Sequence, residues 1–515
     1  MDNEPERRYR TLTLDDIFLA LGYDAPLTTE RKCAVADVVI DSRRVTPGSV
    51  FVALPGERTD GHLYVRDAFE RGAVAAIVQQ APDNQPPPLF SSGLRERKAA
   101  HLDGQNRGGD FPTAGAKPPP LYIRVPNSLA ALHRLAGWWR AQFDVRIIGV
   151  TGSIGKTTTK EYVASVLAQR YNVLKSQGSY NNEIGLPLTL LKLNDSHERA
   201  VVEMGTFGPG EITQLTDMAR PQVGIVTNVS AVHLERMGTI ANIARAKAEL
   251  PRALPADGVV ILNGDDERVR QMARQTQARP FFYGLTPRCD LWADLVSSQG
   301  LDGIRFRFHH RSESIDVQLP LLGKHSVYTA LSAASVGLVE GLSWDEIVRG
   351  LQTGAPIRLV VAPGIKGATL LDDTYNSSPD SAVAALNLID ELDGAKIAVL
   401  GDMLELGDGE SKGHRRVGRR ARQVVETLVT VGRLGRLIGQ GALDAGMRPE
   451  QVIQLDDNAA AIAYLKTILD QDAVVLIKGS RGMRMEQIVD ALSEKHSFDI
   501  AARTKPGGNR RKQDG

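Results

Sequence analysis

Several things are scarce in this sequence, and each scarcity narrows the answer. Its 515 residues hold two cysteines, Cys33 and Cys289, far apart and in no metal-ligand spacing. That excludes a disulfide framework and points to a reducing compartment. Charge of one sign is not in excess either: 62 Lys and Arg against 61 Asp and Glu leave a net +1. Nothing suggests a global field for nucleic acid or membrane, so anion sites must be sought residue by residue. No apolar run approaches the ~18 residues a bilayer crossing needs. The opening MDNEPERRYRTLTLDD lacks the apolar core of a signal peptide. The expectation is a cytoplasmic protein without membrane insertion or a nucleic-acid partner. No coiled coil or repeat is evident, so a monomer is expected.

What is present is ordinary globular composition, 42% hydrophobic and 24% charged. The length exceeds one hydrophobic core and suggests two to four domains. Short apolar runs alternate with helical patterns throughout, the signature of α/β architecture. Strands are expected at 38–40, 50–54, 73–78, 121–125, 145–150, 200–203, 223–227 and 258–262, then at 368–371, 396–400, 427–431 and 473–477. Helices are expected at 64–71 and 128–143. Between 82 and 120 the composition turns to Pro, Gly and Ser without periodicity, which predicts a flexible insertion. The expected domains are 1–143, 144–354 with a parallel sheet, and a Rossmann-like 355–500, followed by a disordered basic tail, 501–515.

The strongest local signal is RIIGVTGSIGKTTTKEYVASVL, a strand, a glycine-bearing turn and an amphipathic helix. In that order, backbone N–H groups of the turn and the helix N-terminus form an anion cradle. Gly152 and Gly155 let the backbone approach phosphate. Lys156 can reach the β and γ phosphates, and the Thr157 hydroxyl can ligate Mg²⁺. Val150 stands where the general pattern has glycine, so the match is to a variant form.

TGSIGKTTTKE resembles the ATP loop of the Mur ligase family, whose members build the peptide of the bacterial cell wall. Further stretches match in the same order: DSRRVTPGSVFVALPGERTDGH, NNEIGLPLTLL, EMGTFGPGEI, TNVSAVHLERMGT, ARAKAEL, DDTYNSSPDS, GDMLELG and KGSRGMRMEQ. Together they span nearly the whole chain apart from the insertion and tail. NNEIGLP, DDTYN and GDMLELG look like the branch that adds a dipeptide, and the DNPR-type signature of the branch adding the third residue is missing.

The resemblance implies an N-terminal uridine-nucleotide domain, a central ATP-binding domain and a C-terminal ligase domain. It implies ATP and Mg²⁺ as cofactors, UDP-N-acetylmuramoyl-tripeptide and D-alanyl-D-alanine as substrates, and an acyl phosphate between them, for peptidoglycan precursor synthesis. Gly152, Ser153, Gly155, Lys156, Thr157, Thr158, Asn228 and Ser326 fall at nucleotide positions, with Arg358 and, fifteen residues on, Asp373. Thr157, Glu203, His233 and Lys247, the last as a carbamate, fall at metal positions; Lys156, His233, Lys247 and Arg358 carry the catalytic roles. From residue type and placement, Ser42, Arg43, Asp60 and His62 are candidates for the uridine nucleotide. Tyr375, Asn376, Asp402, Glu405 and Arg481 are candidates for the peptide end.

On the residues alone, Glu203 reads equally as a metal ligand or an ordinary acid, Lys247 as a solvated helix lysine, and His233 as structural. Asp60 and Gly61 are also turn formers. Three positions depart from the family pattern: Ser326 and Thr329 stand where asparagines by the adenine are expected, and Ser378 replaces a common Asn. A hydroxyl lacks the paired donor and acceptor of an amide. The open alternatives are the sister ligase adding a diamino acid, a non-catalytic nucleotide-binding relative, and a P-loop motor or GTPase.

Overall fold

The computed structural model describes residues 9–23, 34–56, 59–80, 89–91, 121–231, 234–354 and 359–494. These form three sheets of five, nine and six strands, flanked by helices.

The first sheet contains β1 (Val38–Val39), β2 (Val50–Val52), β3 (Ala75–Val78), β4 (Leu89–Ser91) and β5 (Leu121–Arg124) in the order β1-β2-β3-β5-β4, all parallel. Alternation along the strands sends Val50 and Val52 to one core and Phe51 to another. β4 corrects the sequence expectation, because three residues inside the supposed flexible insertion pair with β5. The rest of 82–120, and the tail 501–515, lie outside the described residues.

The central sheet holds β6 (Arg146–Thr151), β7 (Val173–Lys175), β8 (Arg199–Glu203), β9 (Val223–Val226), β10 (Val259–Asn263), β11 (Arg279–Gly284), β12 (Leu291–Ser298), β13 (Ile304–His310) and β14 (Glu313–Leu319). Its order is β14-β13-β12-β11-β10-β9-β6-β8-β7. β6 thus sits between β8 and β9, where connections leave to opposite sides, the place at which open α/β sheets bind ligands. The β12–β14 meander is antiparallel and was not anticipated by a purely parallel reading. Its cause is visible in β13: Ile304, Phe306 and Phe308 are buried while Arg305 and Arg307 face outward, the period-two pattern of a one-sided antiparallel sheet.

The third sheet comprises β15 (Val360–Pro363), β16 (Thr369–Asp373), β17 (Ala395–Gly401), β18 (Thr427–Val431), β19 (Val452–Leu455) and β20 (Ala473–Lys478), ordered β15-β16-β20-β17-β18-β19. Only β15 is antiparallel among the described strands of this sheet. Every expected strand is present within two residues of its predicted ends.

Candidate nucleotide and metal site

β6 delivers the chain to the loop 152–155, and the helix Lys156–Leu167 starts directly after it. Gly152 has φ 145° and Gly155 φ 84°. A Cβ at Gly152 would also lie 1.9 Å from Thr227 Oγ1, so glycine is required there by space as well as by conformation. The loop apex is stapled to the end of β9. Ser153 N–H donates to Asn228 O at 2.9 Å and Ile154 N–H to Asn228 Oδ1 at 3.0 Å. Asn228 Nδ2 and Thr227 Oγ1 donate back to Ile154 O at 3.0 and 2.7 Å. The Ser153 hydroxyl donates to Ser230 O and accepts from Ser230 N–H. Asn228 and Ser153 therefore shape the cradle from behind. Lys156 Nζ donates to Gly152 O at 2.9 Å and Ser153 O at 3.2 Å, which folds the ammonium over the loop.

Glu203 closes β8 and is buried. Asn181 Nδ2 donates to its Oε1 at 2.7 Å, and its own N–H donates to Ser176 Oγ at 3.2 Å. Its Oε2 is buried without a hydrogen-bond partner. Burying an acceptor unsatisfied is costly, and a cation is the partner that a carboxylate oxygen lacks there. Lys247, at the end of the helix Ile240–Lys247, is 2% exposed rather than solvated. Burial, and then the nearby Lys156, push its amine well below the ordinary lysine range, with Glu211, Glu249 and Glu203 opposing. Among the described residues, no three His, Cys, Asp or Glu side chains form a metal-holding group. His233 and Arg358 lie outside the described residues.

A cleft of about 630 Å³ opens between the central and third sheets. From the central side it is lined by Ser153, Gly155, Lys156, Thr158, Asn228 and Ser326, and from the third by Asp373, Asn376, Glu405 and Arg481. The fold thus gathers ten sequence candidates from separate motifs. Lys478, His325, Tyr283 and Tyr328 also line it and were missed. Lys478 is the most informative omission. It is buried, its Nζ lies 2.6 Å from Asp373 Oδ2 and donates to Asn376 O at 2.8 Å. The KGSR motif contains it, but sequence alone singled out only the arginine.

Tyr375 does not line the cleft; its hydroxyl donates to Ser179 Oγ of the central unit, and the Arg481 guanidinium lies 4.9 Å from its ring centre. Glu405 has φ 65°, a left-handed conformation that a side chain with Cβ adopts at a cost. Asp402 does not line the cleft; its Oδ1 accepts from Gly435 N–H at 2.7 Å and so holds the next loop. Ser326 Oγ donates to Leu322 O at 2.6 Å, while Thr329 lines the cleft. Ser378 caps the helix Pro379–Asp390, a task Ser and Asn share, which accounts for that departure. A smaller pocket of about 50 Å³ runs beside Lys156 to Asn181, Gly205 and Glu211.

The first-sheet candidates Ser42, Arg43, Asp60 and His62 do not line this cleft. Arg43 Nε and Nη2 donate to the Asp41 carboxylate at 2.9 and 2.8 Å, and Ser42 is buried. Asp60 Oδ1 accepts the His62 N–H at 2.9 Å and lies 2.6 Å from Nδ1, while His62 Nε2 accepts from Gln79 N–H at 2.9 Å. Those partners fix the imidazole as the Nδ1–H tautomer. No described helix is long and apolar enough to cross a membrane.

A strand–glycine loop–helix cradle, set against a second α/β unit across a cleft, defines a multidomain nucleotide-binding protein of P-loop type. The chain belongs to the Mur ligase family: the Mur ligase middle domain matches residues 150–337, the glutamate ligase domain 357–481, and the family's catalytic domain 35–100. It is 34% identical over 464 residues to the UDP-N-acetylmuramoyl-tripeptide–D-alanyl-D-alanine ligase of Bacillus subtilis, covering 89% of this chain and 93% of the relative. A crystal structure of MurF from Acinetobacter baumannii superposes with TM-score 0.78 at 27% identity, over 94% of this chain and 98% of that one. MurF ligase from Thermotoga maritima in complex with ADP superposes with TM-score 0.72 at 26% identity, over 88% and 96%.

Proposed function

We propose that this chain is an ATP-dependent ligase joining D-alanyl-D-alanine to UDP-N-acetylmuramoyl-tripeptide, giving UDP-N-acetylmuramoyl-pentapeptide, ADP and phosphate in the cytoplasm. The near full-length likeness to ligases of that name supports the substrates. The observation that carries the chemistry is the cleft, which sets Lys156 on one wall and Lys478 and Arg481 on the other.

A carboxylate makes an amide only after its oxygen becomes a good leaving group. The tripeptide carboxylate attacks the γ-phosphorus, the bond to ADP breaks, and an acyl phosphate results. The dipeptide amine then attacks the acyl carbon, phosphate leaves, and the amine gives up a proton. Two anions must meet in the first step, so fixed cations are needed where charge develops. Lys156 sits over the phosphate cradle, and Lys478, Arg481 and Arg358 belong to the facing unit. Asp373, paired with Lys478, would take the ribose hydroxyls. Ser42, Arg43, Asp60 and His62 would take the uridine nucleotide, and Tyr375, Asn376 and Glu405 the peptide end. The domain limits 1–143, 144–354 and 355–500 belong to the same reading.

Mg²⁺ would be held by Thr157, Glu203, His233 and Lys247 as a carbamate, and when bound would neutralise phosphate charge. The unsatisfied Glu203 Oε2 fits that assignment. Lys247 fits it as well: burial pushes its amine toward the neutral form, whose lone pair adds to CO₂, releasing a proton and leaving an anionic oxygen donor. Intact mass after bicarbonate treatment should show the added CO₂ on wild type and not on Lys247→Ala; unchanged activity in Lys247→Ala would sink the assignment. The reading as a whole is tested by phosphate release with each substrate withheld in turn, and with diaminopimelate in place of the dipeptide.

A further inference from the structure

Lys160 is a buried charged group that this chemistry leaves unused. It lies one turn beyond Lys156 on the phosphate-loop helix and is fully buried. Its ammonium donates to Ser176 O at 2.6 Å and to Gly178 O at 2.7 Å, and its charge is balanced by Glu161 Oε1 at 2.8 Å. The segment it grips runs from the end of β7 toward Asn181. That segment clasps Glu203 from two sides: Ser176 Oγ accepts the Glu203 N–H, and Asn181 Nδ2 donates to Glu203 Oε1. Gly205 N–H in turn donates to Asn181 O at 2.7 Å. One carboxylate oxygen is thereby fixed and the other, Oε2, is left free of protein partners.

We propose that Lys160 is a positioning residue for the Glu203 carboxylate, acting through Ser176 and Asn181. The inference rests on the assignment of Glu203 to a divalent cation. A single helix then carries both the lysine for the phosphates and the lysine that holds the carboxylate's brace, so phosphate and cation positions are set by one rigid element. A solvent-facing lysine at 160 would have no such effect. Partners that orient a ligating carboxylate are worth about 10- to 100-fold in metal affinity.

The test is Mn²⁺ binding to the ADP complex of the full chain, read by electron paramagnetic resonance beside ADP affinity without metal. Lys160→Met is expected to weaken Mn²⁺ at least about tenfold while metal-free ADP binding stays near wild type. Wild-type Mn²⁺ affinity in folded Lys160→Met, or an equal loss of metal-free ADP binding, overturns the proposal. Removing one member of a buried ion pair can unfold a protein, so Ser176→Ala, which deletes only the hydroxyl on Glu203, is measured alongside. Weaker Mn²⁺ binding there supports the brace, and unchanged binding in that variant overturns it. Glu203→Gln separates the two levels: if it keeps wild-type Mn²⁺ affinity, the cation assignment itself fails.

Discussion

The two junctions of this molecule differ in how completely they are filled. Between the first and central sheets, one continuous apolar cluster runs from Leu12 through Trp139 to Leu262. Trp139 is its keystone: fully buried, edge-on to Phe143 at 5.0 Å, with its indole N–H donating to Leu193 O at 3.0 Å. Beside it, Arg140 spends three donors on the carbonyls of Ala219, Phe143 and Val145, each at 2.9 Å. Between the central and third sheets there is instead an open cleft whose wall mixes lysines, acids and hydroxyls with apolar side chains such as Phe207, Leu321 and Leu406, and the third sheet keeps separate cores on its two faces. A dry junction is stable by itself. An open cleft that carries Lys156, Asp373, Lys478 and Arg481 on its walls is complete only with something in it, so the difference separates a fixed platform from a seam that can receive charged ligands.

That comparison can be broken by substitution on either side. Lys156→Ala, in the seam, should cut kcat by about 10³-fold while leaving the melting temperature unchanged, as expected for one fixed charge facing a developing anion; steady-state kinetics and calorimetry decide it. Trp139→Ala, in the platform, should cost about 3–5 kcal/mol and loosen the first sheet from the central one, visible as a lower urea midpoint. Acid should act more gently. Burial holds the His414 imidazole below its usual range, its Nε2 accepting from Met403 N–H at 3.0 Å. The unfolded chain therefore takes up a proton near pH 6.5 that the folded His414 refuses. Its contribution is intact above that pH and declines below it. His414→Gln should flatten this slope in denaturation measured between pH 7.5 and 5.5. Smallest is Tyr375→Phe, which removes the hydroxyl that meets Ser179 across the seam. Stability should stay within about 0.5 kcal/mol, with a change of a few-fold in KM. A loss comparable to Trp139→Ala would mean the seam is structural after all.

The phosphate loop was readable from sequence because its requirements are local: two glycines, a lysine and a helix start, all within a few residues. Burial was not readable. Lys247 sits in IARAKAEL, a pattern indistinguishable from a solvated helix, and only its burial in the folded chain makes it a desolvated amine. Lys160 and Lys478 were overlooked for the same reason, since lysine is seldom buried and tertiary contacts supply the partners. The antiparallel β12–β14 edge was legible in principle through Ile304, Phe306 and Phe308, yet the surrounding βαβ rhythm pointed elsewhere. The contact of Asp402 was likewise not legible: its carboxylate accepts from Gly435 N–H, a partner that only the fold brings to it.

The account stands most directly on one assay: phosphate release and product mass with ATP, UDP-N-acetylmuramoyl-tripeptide and D-alanyl-D-alanine together. It predicts phosphate and pentapeptide in equal amounts, with turnover lost when either substrate is withheld and not restored by diaminopimelate. ATP hydrolysis that is indifferent to the dipeptide, or no turnover with all three present, would contradict it.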